Sequence, residues 1–327
     1  MVRKNFSGPL VQEKTMQRTD KMLQFKTADG QDIKIPVVTL KGDKEGPHVV
    51  ITAGIHGCEY PPLLAIMEFL RDVKPEEVFG TITIVPIATI PAFESRTPFV
   101  NPIDGINPNR AFPGKEDGSY TECLTYHLFN DVIKGADYHL DLHCGDLTET
   151  LAPYCEYGIG YSEKVDRMSK EIALYSGVNT LVESDYNRDD IGLPPGLNYI
   201  NSVQHGIASA IFEFGQMGRY DREYIDGQLF FLRNVMRHFG NLAGEAIPTE
   251  NQQQFVIYVE IDAPVTGIFV RCVEAGDDLK KGDKVGDMYD YFGNHLCDVR
   301  CEIDGRILYL NSSIAVQKDG FILNMVY

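Results

Sequence analysis

Between about residues 48 and 240, short apolar runs alternate with stretches whose apolar residues recur at helical spacing, and this confines the chain to an α/β layer fold. HVVITAG (48–54) reads as a strand ending at a glycine, followed by a helix over 61–73 that opens on two prolines. Leu63, Leu64, Met67 and Leu70 form its expected apolar stripe. TITIVPI (81–87) is the next strand, and a loop rich in Pro, Gly and Asn runs from there to about residue 120. That loop is longer than a plain connection needs, which favours a binding role. Thr121 is placed to cap a helix reaching about Lys134. ADYHLDLHCG (136–145) is a strand with a telling alternation: Tyr138, Leu140 and Leu142 point one way, His139, Asp141 and His143 the other. A helix (162–176), a strand near 178–182, a loop (185–196), the strand SAIFEFG (209–215) and an amphipathic helix closing at Gly240 complete the series.

GEAIPTE reads as a linker. Beyond it helical periodicity gives way to β-rich runs divided by turn clusters such as KKGDK and YFGN. The expected organisation is an N-terminal β extension (1–45) packed on a catalytic domain (46–245), then a small all-β domain (251–327).

The partners are constrained by charge. With 47 acidic against 30 basic residues, a net charge of −17, neither nucleic acid nor an anionic membrane surface is an expected partner. Seven cysteines without framework spacing read as reduced thiols in the cytoplasm. No apolar stretch approaches the roughly 20 residues needed to span a bilayer. Self-association is left open.

His56 and Glu59 lie in the turn between the first of these strands and its helix. His143 ends a second strand, and in an open α/β sheet the carboxyl ends of strands meet in one crevice. Two imidazoles and a carboxylate are the protein ligands expected of a catalytic zinc, with one position left for water. Asp141 shares the His143 face and is placed to orient it. A lone H-x-x-E is as readily a pair of ordinary loop residues, so the weight comes from two further features. Asn109 and Arg110, in NPNRAFPG, offer an amide and a planar guanidinium suited to a carboxylate, with Arg96 upstream in the same loop. Glu213 ends the apolar strand AIFEFG, where partial desolvation raises a carboxyl toward the range of a general base.

Together HGCE, NPNRAFPG, the His143 strand and Glu213 resemble the succinylglutamate desuccinylase/aspartoacylase family of the zinc-carboxypeptidase-like superfamily, from about residue 45 onward. The loop and tail look closest to the bacterial N-acetyl-diaminobutyrate deacetylase-like branch. The resemblance implies a mixed-sheet carboxypeptidase-like α/β domain with a small C-terminal barrel-like, biotinyl/lipoyl-like β domain that lacks a carrier lysine. It implies one zinc on His56, Glu59 and His143, with the substrate carboxylate on Asn109 and Arg110. It further implies that Arg96 polarises the scissile carbonyl and that Glu213 serves as general base. The implied reaction is hydrolysis of an amide in a small N-acyl amino acid by a metal-activated water. Three alternatives stand beside it: a metallocarboxypeptidase, a cysteine hydrolase using Cys58 or Cys144, and a non-catalytic protein that keeps the metal for structure.

Overall fold

The alternation of apolar runs closes into one nine-stranded mixed sheet in the computed structural model, which describes residues 17–327. Strands β1 (Gln17–Lys26) and β2 (Asp32–Lys41) form an antiparallel hairpin. β3 (Lys44–Ala53), β4 (Phe79–Val85) and β5 (Tyr138–His143) follow, while β6 (Glu149–Leu151) leaves the sheet. β7 (Tyr154–Ile159), β8 (Thr180–Asp185), β9 (Ala208–Glu213) and β10 (Gln253–Phe255) complete it, in the order β1-β2-β4-β3-β5-β9-β7-β8-β10. The central β4, β3, β5 and β9 run parallel, and β7 is antiparallel to β9. β10 joins the sheet from beyond the expected linker, pairing parallel with β8.

Among the described residues there are six α-helices. α1 (Tyr60–Asp72) buries Pro61, Pro62, Ala65, Ile66 and Phe69. This shifts the expected stripe: Met67 is 57% exposed. Nearly every position of this helix is apolar, so spacing alone could not choose the face; packing against the sheet and α6 (Arg222–Phe239) did. α2 (Ile90–Ser95) is a single short stretch in the long loop. α3 (Tyr120–His127) continues as a wider π turn to Ile133 and is capped by Ser119, whose hydroxyl and Glu122 form a reciprocal capping box. Thr121, the expected cap, instead lies buried inside the helix and donates its hydroxyl to Asp104 at 2.7 Å. α4 (Glu163–Leu174) begins at the Ser162 cap. α5 (Asn198–Gln204) and β7 are elements that periodicity did not reveal.

Tyr138, Leu140 and Leu142 enter the main core with Ile51, Phe212 and Phe231, as their alternation predicts. Beyond β10 the chain forms β11 (Tyr258–Asp262), β12 (Gly267–Arg271), β13 (Asp278–Leu279), β14 (Lys284–Tyr289), β15 (His295–Arg300), β16 (Gly305–Asn311), β17 (Ala315–Val316) and β18 (Phe321–Val326). They make two sheets, β11-β18-β16-β13 and β15-β14-β12-β17, around a core of Phe269, Val285, Met288 and Leu323. β6 pairs with β16, and Leu151, Tyr154 and Val182 pack on Leu308 and Val326, so the tail is seated on the main sheet. Among the described residues no helix is long and apolar enough to cross a membrane.

Candidate active site

The parallel register sets the site. Thr52 on β3 pairs with Asp141 on β5, Asp141 with Ile211 on β9, and His143 with Glu213. Directly paired residues of neighbouring strands share a face, so the polar row of β5 faces Thr52 and Glu213 at the carboxyl ends of the strands. The β3–α1 turn brings His56 and Glu59 to the same place. Gly57 permits this turn: a Cβ there would collide with the backbone of Ala92 in α2.

His56 Nδ1 lies 2.6 Å from Glu59 Oε1, and His143 Nδ1 lies 3.0 Å from Glu59 Oε2. One donor atom from each residue falls within 4.8 Å of the others. The outer nitrogens fix the tautomers. His56 Nε2 faces the Asn107 amide oxygen at 3.1 Å, an acceptor, so it carries a proton, and Nδ1 is the nitrogen turned to Glu59. His143 Nε2 faces Asp141 Oδ2 at 3.5 Å, and neither atom has a closer partner. Its proton therefore points at Asp141 and its Nδ1 toward Glu59. Glu59 is held at about 2, its burial overcome by the His143 and His56 imidazoles. A buried carboxylate faced by two imidazole nitrogens needs positive charge beside it, which a proton on the ring or a metal ion between the three groups supplies. The donor set, two nitrogens and one carboxylate, fits zinc.

A second group, Asp287, His295 and Asp298, lies on β14 and β15. There Lys284 Nζ already sits 2.6 Å from Asp287 and 3.2 Å from Asp298, so its charge is met.

Beside the His56–Glu59 turn is a cavity walled by Asn109, Arg110 and Glu213, and also by Glu149, Glu156, Tyr154 and Tyr199. Glu213 Oε2 is buried without a hydrogen-bond partner. Burial pushes the Glu213 carboxyl well above the usual carboxylate range, against the pull of His143. Glu149, half-buried in the same wall, is pushed up to about 7, mainly by desolvation. Four residues come from the tail: Tyr258, Glu260, Tyr309 and Asn324. Of the residues named from sequence, His143 and Asp141 stand directly behind the wall, both buried. Arg96 is the one left outside: it closes α2 in a left-handed conformation (φ 56°), is exposed, and does not line the cavity. Sequence reasoning missed Glu149 and Glu156 because it did not identify β6 and β7, and it missed the four tail residues because nothing local ties them to the site.

The thiols of Cys58 and Cys144 are both pushed up by burial, Cys144 well above its ordinary value. A thiol held neutral is a poor nucleophile, which disfavours the cysteine-hydrolase alternative.

Comparison with known proteins gives the family of the chain. The model of the succinylglutamate desuccinylase/aspartoacylase catalytic domain matches residues 45–239. The chain belongs to this family. It is 28% identical over 286 residues to N-alpha-acetyl-L-2,4-diaminobutyric acid deacetylase of Halomonas elongata, covering 84% of this chain and 80% of that protein. Solved structures share the fold. A succinylglutamate desuccinylase/aspartoacylase from Rhodobacter sphaeroides superposes with a TM-score of 0.82 at 21% identity, covering 100% of this chain and 98% of that one. The product-bound ectoine utilization protein EutE (DoeB) of Ruegeria pomeroyi gives 0.83 at 22% identity, with 99% of both chains covered. The mixed α/β sheet and a deacylase-type hydrolase acting on amide bonds are thus properties of the family to which the chain belongs.

Behind the site, His139 is fully buried. Thr52 Oγ1 donates to Asp141 at 2.6 Å, so toward His139 Nε2, 2.8 Å away, it can only accept. His139 is then neutral with its proton on Nε2, and Nδ1 is left to accept from Ser202 at 2.9 Å. Burial accordingly lowers its pKa to about 4 from an ordinary 6.5. The unfolded chain takes up a proton that the folded chain refuses. The contribution of His139 to stability is therefore fully present above pH 6.5 and is lost as the pH drops from there toward 4, by up to about 3 kcal/mol. Melting temperatures of the wild type and His139→Gln across that window check this; a variant that loses stability as steeply as the wild type would contradict it.

Proposed function

We propose that this chain is a zinc-dependent deacylase that hydrolyses the amide of a small N-acyl amino acid, with the metal on His56, Glu59 and His143 and with Glu213 as general base. The observation that carries this reading is the unpartnered, buried Glu213 oxygen, in register with His143 and opening on the cavity. When bound, zinc supplies a Lewis acid for the acyl carbonyl and lowers the pKa of water. Glu213 accepts the proton of the attacking water and passes it to the departing amine. No step is assigned to Arg96, which stands outside the wall.

Asn109 and Arg110 bind the substrate carboxylate. Asn109 Oδ1 is occupied by the backbone N–H of Asn198 at 2.9 Å, so the Asn109 amide nitrogen is the group left for the ligand. Arg110→Ala removes a charged hydrogen bond and raises KM for a carboxylate substrate about 10–100-fold, with kcat less affected. Steady-state kinetics check it, and an unaltered KM would remove the clamp. Once Glu59 and Glu213 have their roles, the wall still holds Glu149, Glu156 and Glu260 against the single arginine. That balance favours an amino acid with a cationic side chain, the chemistry in the name of the Halomonas elongata relative. We read the tail as a biotinyl/lipoyl-like β domain whose role is to close the cavity, which favours a small substrate over a polypeptide and so a deacylase over a peptidase. The free thiols of all seven cysteines support a cytoplasmic setting.

A turnover screen of the zinc-loaded protein against N-acetyl, N-succinyl and N-aspartyl amino acids and short peptides tests the proposal. Hydrolysis of N-acetyl diamino acids is the expected result, and peptide cleavage without deacylation would overturn it.

A further inference from the structure

A buried chain of hydrogen bonds that no part of the proposed reaction uses runs from Asp141, which faces the metal ligand His143 at 3.5 Å, to the carboxylate clamp. Asp141, opposite His143, accepts from Thr52 Oγ1 at 2.6 Å. Thr52 Oγ1 in turn accepts from Asn198 Nδ2 at 3.2 Å, and Asn198 N donates to Asn109 Oδ1 at 2.9 Å. Thr52, Asp141 and Asn198 are fully buried, and Asn109 is 3% exposed. Each link has one sense only. A carboxylate cannot donate, so Thr52 must give its single proton to Asp141 and receive the Asn198 amide with its lone pairs. The Asn198 backbone N–H then holds the Asn109 oxygen away from the cavity, which turns the donor end of that amide inward. A hydroxyl at residue 52 and an amide at residue 198 are needed to join Asp141 to Asn198; a valine at 52 or a leucine at 198 would fill the space but break that join, leaving only the backbone N–H of residue 198 on Asn109.

We infer that Thr52 and Asn198 are positioning residues that set the metal-binding face of His143 and the carboxylate-binding face of Asn109 in one frame. This rests on the deacylase reading for the substrate and on the His56–Glu59–His143 site for the metal. Asn198 opens α5 and Thr52 ends a central strand, so both are carried by elements that cannot shift independently of the sheet. The frame fixes the distance between the bound carboxylate and the scissile carbonyl, and through it the orientation of the substrate.

Two measurements test this. The first needs no substrate: zinc retention against a competing chelator in the wild type, Thr52→Val and Thr52→Ser. Loss of a group that orients a metal ligand weakens metal binding about 10–100-fold, so Thr52→Val should lose zinc to that extent while Thr52→Ser keeps it. The second compares kcat/KM for an N-acetyl amino acid with that for its carboxamide analogue, in the wild type and in Asn198→Leu. The expected result is that the preference for the free carboxylate falls in the variant, because the backbone N–H that meets Asn109 is no longer tethered through the residue 198 side chain to Thr52. Zinc held by Thr52→Val as firmly as by the wild type overturns the inference at the metal end. An Asn198→Leu loss shared equally by both substrates overturns it at the clamp end. If Asn198→Leu does not fold, the same substrate pair is compared, at zinc concentrations that keep every variant loaded, in Thr52→Val and Thr52→Ser: a collapsed carboxylate preference in Thr52→Val alone supports the frame, and an unchanged preference in Thr52→Val overturns it. A wild type that retains no zinc would instead strike at the metal reading itself, so the two failures are distinguishable.

Discussion

Glu213→Gln should bind zinc at one ion per chain and turn over an N-acyl amino acid about 10²–10⁴-fold more slowly than the wild type. The change is nearly isosteric and leaves the β5–β9 register, with its His143–Glu213 pairing, intact. What it removes is the capacity to take a proton. In the wild type the carboxyl sits well above the usual carboxylate range because of burial, with one oxygen unsatisfied. A basic group of that kind gives kcat an acidic limb, which falls as the pH drops through its pKa. The glutamine variant should lose that limb along with the rate. Metal analysis beside a pH–rate profile decides the matter: retained zinc with an unchanged kcat would take Glu213 out of the reaction.

The second large effect is expected at His143. His143→Ala should bring zinc from one ion per chain to near none and abolish activity. Only two ligands then remain, and Glu59 loses the partner 3.0 Å away that offsets its burial. Asp141, fully buried, loses the group facing it as well. Leaving buried charges uncompensated costs about 3–5 kcal/mol, so the variant should also melt lower without metal. Elemental analysis and calorimetry on the purified variant check both statements. Full zinc occupancy in His143→Ala would show that the metal, if any, lies elsewhere.

Much of this site is legible in the sequence. The period-two pattern of YHLDLH separates Tyr138, Leu140 and Leu142 from His139, Asp141 and His143, and the sheet buries the two sets as that pattern requires. The HGCE turn and the NPNR loop are recognisable because metal and carboxylate recognition each demand a small set of side chains at close spacing. Helix faces are less legible. In α1 the buried stripe is Pro62, Ala65, Ile66 and Phe69, since a helix apolar on most sides carries no phase of its own. The α3 cap stands two residues before its expected place, because Ser119 and Thr121 are both chemically able to cap and only the capping box with Glu122 separates them.

What the sequence determined by itself is the inventory and its local order: which strands are amphipathic, which turns hold ligands, and that acids outnumber bases. These follow from backbone geometry and side-chain chemistry within a few residues. Only the tertiary structure decided which distant groups meet. The β3–β5–β9 register brings Thr52, Asp141 and Glu213 to one face. The seating of the tail on β6 sends Tyr309 into the cavity, and the short exposed α2 leaves Arg96 outside it. Such contacts depend on strand pairing and packing across more than a hundred residues, where the free-energy differences are summed over the whole core and leave no mark on any one segment.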